Sequence, residues 1–75
     1  MAKRHPVLTA FGLNVRRRRE ALDLTQEALA EKASLDQTYI SGIECGVRNP
    51  SLLSITKIAK ALGISASQLT NGVRG

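Results

Sequence analysis

The stretch QEALAEKASLDQTYISGIEC, Gln26 to Cys45, decides the fold. Thr25 is placed to cap one helix, which turns Ala28, Leu29 and Ala33 inward and ends at Ser34. Asp36 is placed to cap a second, since a carboxylate there accepts from the free N–H groups of the first turn, and Gly46 is placed to end it. Counted from Gln26, a small residue stands fifth (Ala30), a turn residue ninth (Ser34), and apolar anchors fifteenth and eighteenth (Ile40, Ile43). This spacing predicts two short helices crossing closely about a tight turn. Glycine is usual at the ninth position, so a left-handed Ser34 costs some stability.

A projection at about 100° per residue divides the second helix into two faces. With Gln37 at zero, Ile40, Ile43 and Glu44 fall near roughly 300°, 240° and 340°, and Thr38, Ser41, Gly42 and Cys45 near roughly 100°, 40°, 140° and 80°. One side is core and the other is small and polar. Gly42 costs ~1 kcal/mol relative to alanine inside a helix, so its presence predicts a close approach there. Two surfaces fit that approach: the major groove of a duplex, or a second helix crossing tightly.

Outside this pair, Leu8, Phe11, Val15 and Leu22 recur at helical spacing after Thr9, predicting a first helix over roughly 9–22 with Thr9 as its cap. Arg16 to Arg19 wrap round it, so at least one of them must lie against the core or pair there. Asn49-Pro50-Ser51 predicts a turn and a cap for a fourth helix, whose stripe is Leu52, Ile55, Ile58, Ala59 and Leu62, closed by Gly63. Ser65 caps a last short helix holding Leu69. Five helices and short loops leave no run for a strand, no internal repeat and no linker. The reading is one all-α domain over 1–75, with frayed ends at 1–6 and 72–75.

Apolar residues make up 43% of the chain and the aromatics are Phe11 and Tyr39 alone, so the core must be aliphatic. A domain of this size buries only about 60–65% of the surface its unfolded chain exposes, which makes a partner subunit useful. No apolar run reaches the ~18 residues of a membrane span and none resembles a signal peptide, so the cytoplasm is the expected location. Cys45 is the single cysteine and cannot form an internal disulfide, and with only His5 beside it no metal site or cofactor is expected. Net charge is +5, unevenly spread: residues 1–19 carry six bases and no acid, residues 20–44 six acids against Lys32, and residues 45–75 four bases and no acid. A polyanion would meet its field at the two ends, with Lys3, Arg4 and His5 in a charged arm. A solvated basic surface explains the same charge more plainly. No nucleophile and base set, carboxylate dyad or phosphate-cradling glycine loop points to an enzyme.

On Gln26 to Cys45 the chain resembles the helix-turn-helix family of Cro/CI (XRE) type, over about Thr9 to Leu69, and LDQTYISGIECGVRNPS within it is similar to the controller proteins of restriction–modification systems. The resemblance implies a compact five-helix, lambda-repressor-like DNA-binding domain with its motif at 26–45. It implies that Gln26, in the first turn of the second helix, bonds a phosphate. Asp36, Gln37, Thr38, Tyr39, Ser41 and Gly42 would form the face that meets bases and flanking phosphates, and Arg48 and Asn49 the loop that grips backbone or minor groove. Arg19 and Glu44 match a structural pair joining the first helix to the end of the recognition helix. Gln37 can read adenine bidentately, and Thr38 can contact a base or a thymine methyl. Both Gln37 and Cys45 stand where controller proteins often carry arginine, so the operator sequence does not carry over.

The expected function is a sequence-specific transcriptional regulator that binds a palindromic double-stranded DNA operator as a homodimer, with two dimers per operator within reach, and controls restriction–modification genes including its own. An antitoxin that also binds a toxin, and a phage-type repressor domain, are the alternatives; the chain's end shortly after the fifth helix counts against the first. Leu53, Ile64 and Leu69 remain after the main stripe is placed and are expected at the dimer interface. Glu27 and Glu31 are candidates for a contact with RNA polymerase.

Overall fold

The computed structural model describes residues 5–74, which form α1 (Pro6–Ala21), α2 (Gln26–Ala33), α3 (Gln37–Glu44), α4 (Leu52–Ala61) and α5 (Ala66–Leu69). Each helix begins at a residue whose side chain accepts a backbone N–H of the first turn. Thr25 accepts from Ala28 at 3.0 Å, Asp36 from Thr38 at 3.3 Å, Ser51 from Ser54 at 3.1 Å and Ser65 from Gln68 at 3.0 Å. These four caps are the ones the sequence predicts. The first helix differs: Pro6 opens it, since proline has no N–H to leave unpaired at that position, and the His5 ring nitrogen caps it by accepting from Val7 at 3.2 Å. His5 and Pro6 are therefore ordered structure and not part of a frayed arm, while Lys3 and Arg4 lie outside the described residues. Val73 also departs from a frayed end, packing against the core with its N–H on the Thr70 carbonyl at 3.0 Å.

Packing contacts run from α1 to α3, α3 to α2, α2 to α4, α4 to α5 and back from α5 to α1, a closed circuit around one core. Phe11 and Val15 enter it from α1, Leu29, Ala30 and Ala33 from α2, Ile40 and Ile43 from α3, Ile58 and Ala59 from α4, then Leu62 and Leu69. Ser34 has the predicted left-handed conformation, φ 55° and ψ 44°, and the chain reverses there from α2 into α3.

Three apolar residues lie elsewhere than the spacing suggests. Leu22 is 41% exposed, because α1 stops at Ala21 and the left-handed Asp23 (φ 56°) sends the chain back so that Leu24 packs on the core in its stead. Leu52 is 75% exposed. It sits about 120° from Ile58 around the helix, at the edge of the stripe. Leu69, expected on an exposed interface, is 1% exposed and belongs to the protomer's own core, since α5 folds back against both α1 and α4.

Candidate nucleic-acid interface

The position of α3 is set from behind by α1. Gly12 marks the crossing: a Cβ built there would collide with the Ile43 carbonyl oxygen and lie 2.8 Å from that of Glu44, so only a glycine lets the helices approach this closely. Gly46, at φ 76°, ends α3 beside Thr9, whose Oγ1 would be 2.9 Å from an added Cβ. At the same corner Arg19 donates to both oxygens of Glu44, Nε to Oε2 at 2.7 Å and Nη2 to Oε1 at 2.9 Å, and from Nη1 to the Leu24 carbonyl at 2.8 Å. Hydrogen bonding by Glu44 raises the Arg19 pKa above an arginine's ordinary value, against the lowering effect of burial. Three of the four arginines in the run thus have identified partners. Arg19 holds α3, Arg18 donates to the Leu62 carbonyl at 3.2 Å, and Arg16 pairs with Glu20 on the surface at 3.3 Å.

Gln26 joins this corner. Its carboxamide donates to Glu44 Oε1 at 3.1 Å, which fixes the side chain at the start of α2 and leaves its second N–H for another acceptor. One carboxylate therefore ties together the first turn of α2, the last turn of α3 and α1.

The residues expected to meet a ligand stand outside this hydrogen-bond network on α3. Gln37 and Thr38 are exposed at its first turn and Ser41 is half-buried one turn on, with the exposed Cys45 at its end. Arg48 and Asn49 are exposed on the following loop. Asp36 is exposed and accepts the Thr38 N–H, so its carboxylate is engaged in capping. Tyr39 is also engaged: its hydroxyl donates to Ser54 Oγ at 3.2 Å and accepts from the Ser51 N–H at 3.4 Å, tying α3 to the start of α4. Gly42 has the close neighbour its presence predicts, and within the protomer that neighbour is not a second helix. The neighbour is the Arg48 stem, whose Cγ would collide with a Cβ on Gly42.

Sequence reasoning missed three residues that hold this arrangement. Gly12 carries no signal of its own among the α1 residues. Asn14 donates to the carbonyls of Leu69 and Asn71, both at 2.9 Å, and so fastens the C-terminal segment to α1. Ser54 is buried on the apolar side of α4, where a polar residue one turn before Ile58 called for a partner, and Tyr39 supplies it. Among the described residues no cluster of His, Cys, Asp or Glu could hold a metal, and no helix is long and apolar enough to cross a membrane.

The helix-turn-helix family profile matches residues 15–69. Among its relatives, control protein C.MunI of Mycoplasma sp is 44% identical over 64 residues, covering 84% of this chain and 86% of the relative. The crystal structure of the restriction–modification controller protein C.AhdI from Aeromonas hydrophila superposes with a TM-score of 0.81 at 45% identity, covering 83% of this chain and 94% of that one. That of the controller protein C.Esp1396I, a tetramer in complex with its natural 35 base-pair operator, gives 0.75 at 41% identity, covering 79% and 78%. The chain belongs to the XRE-type helix-turn-helix family, within it to the restriction–modification controller proteins, and is a DNA-binding transcriptional regulator and not an enzyme.

Proposed function

We propose that the protein binds an imperfect palindromic operator as a homodimer in the cytoplasm and regulates restriction–modification genes, its own among them. The observation that carries this reading is the division of labour around α3. Glu44, Ile40, Ile43 and Tyr39 are committed to holding the helix, while the side chains of Gln37, Thr38 and Ser41 stand free of that network. Gln37 is suited to adenine, Thr38 and Ser41 to base edges or a flanking phosphate, and Arg48 and Asn49 to the sugar-phosphate backbone. Gln26, oriented by Glu44, offers its remaining N–H to a phosphate at the start of α2.

The molecule's longest extent is 30 Å, against ~34 Å for one duplex turn, which suits one protomer to one half-site. Leu53, exposed on α4, and the half-buried Ile64 offer an apolar surface for pairing, with the exposed Leu52 in place of Leu69. The tetramer of C.Esp1396I on its operator supports two dimers on one operator here. Glu27 and Glu31, exposed on α2, are two acids suited to touch RNA polymerase beside the duplex.

Selection of bound duplexes from a random pool tests the reading. The expected product is a two-fold symmetric sequence with half-sites ~10 base pairs apart. Enrichment of an asymmetric site, or none at all, would sink it.

A further inference from the structure

The side of α3 that carries Gly42 is occupied from within the chain. The N–H groups of Val47 and Arg48 both donate to the Gly42 carbonyl, at 3.0 and 3.2 Å, so the chain folds back on the helix at this point. The Arg48 stem then runs through the space a side chain on Gly42 would fill, with its Cδ 3.3 Å and its Cβ 3.4 Å from an added Cβ. Beyond it the guanidinium stands over the Tyr39 ring, 5.4 Å from the centroid. That ring cannot drift, because its hydroxyl is held by Ser54 and by the Ser51 N–H at the start of α4.

We propose that Gly42 is a positioning residue for DNA recognition: its missing side chain is the seat that lays Arg48 along α3 against Tyr39, and so fixes where the guanidinium meets the duplex. The inference rests on the reading of Arg48 as a DNA contact. Its physical basis is entropic. An exposed arginine samples many rotamers, and immobilising it at an interface opposes binding. A seat formed by Gly42 and Tyr39 moves that loss of freedom from the binding step to folding. This gives Gly42 a purpose other than direct approach to the groove. A seat makes the effect of a side chain at Gly42 depend on Arg48, whereas direct approach to the groove makes the two independent.

Alanine is a better helix former than glycine, and the group it would strike is a flexible side chain and not backbone. Gly42→Ala should therefore leave the fold intact and unseat Arg48. The test is a cycle of Gly42→Ala, Arg48→Ala and the double variant, with affinity for the selected operator read by fluorescence anisotropy and stability by thermal melts. Each single change is expected to weaken binding about ten-fold. The double variant should then fall no more than about two-fold below Arg48→Ala alone, because the same contact is lost only once. Gly42→Ala should melt at or above the parent. The proposal is overturned by independent effects that multiply to roughly a hundred-fold in the double variant, by a Gly42→Ala protein that binds like the parent, or by one that melts lower. If Arg48→Ala alone leaves affinity unchanged, it is the reading of Arg48 that fails first, and the seat fails with it.

Discussion

Arg19 and Glu44, 25 residues apart in the chain, meet through two hydrogen bonds of 2.7 and 2.9 Å with side chains only 12% and 3% exposed. Removing the arginine leaves a buried carboxylate with Gln26 as its remaining side-chain partner. Arg19→Ala is expected to destabilise the domain by about 3 kcal/mol, the lower end for breaking a buried pair, because the arginine side chain keeps some exposure to solvent. Arg19→Lys keeps the charge but cannot span both carboxylate oxygens and the Leu24 carbonyl, so it should restore only part of that loss. The raised Arg19 pKa means that its contribution is fully present below the unfolded value and is lost only as pH rises through the folded one, so it should be constant over about pH 6–9. Identical thermal melts for the parent and Arg19→Ala would show that the pair does not hold the domain together.

The two interior helical glycines near α3 should respond in opposite directions to the same change. At Gly12 an added methyl meets backbone carbonyls of α3, which cannot rotate away, so α1 and α3 must separate. Gly12→Ala is expected to cost about 1–3 kcal/mol by overpacking, despite alanine's better helix propensity. Urea melts settle it: a Gly12→Ala midpoint equal to the parent's would mean the crossing relaxes freely.

On the proposed recognition face, base readers and backbone clamps should separate by their response to salt. Gln37→Ala or Ser41→Ala should lose about 1–3 kcal/mol on the selected operator with little change on unrelated DNA. Arg48→Ala should weaken both and reduce the slope of log K against log salt by about one. Equal losses of Gln37→Ala on both duplexes would reassign Gln37 to the backbone.

Most of α2, α3 and their turn was legible because each signal there is local: a cap two or three residues before its N–H, a turn residue at the ninth position, and anchors on one helical face. The Arg19–Glu44 pair was legible by family resemblance, and the run of four arginines made some such burial necessary. What was not legible depends on how distant segments pack. Leu69 reads as left over because the stripe on α4 carries no sign that α5 folds back onto α1, and Leu52 reads as buried because spacing alone does not say where a stripe's edge lies. Gly42 announced a close approach, yet its occupant came from Arg48, six residues on, through a loop whose path no periodicity describes.

The same distinction between surface and core shapes the prediction for the dimer. Leu53 is 67% exposed on α4, in a domain small enough to need further burial, and one recognition helix reads only a few base pairs. Pairing two copies across Leu52, Leu53 and Ile64 would cover that surface and, by two-fold symmetry, set the recognition helices about 34 Å apart on the duplex. Leu53→Asp places a charge on the outside of the protomer, so helix content should remain while sedimentation shifts to the monomer and operator affinity drops. Leu69→Asp places a charge in the core and should unfold the domain instead, losing helix content together with binding. The contrast makes the assignment testable at both residues. If the parent sediments as a monomer at micromolar concentration and binds a single half-site as tightly as the full palindrome, α4 is not a pairing surface. If Leu69→Asp remains helical and merely monomeric, α5 does not close the protomer's core.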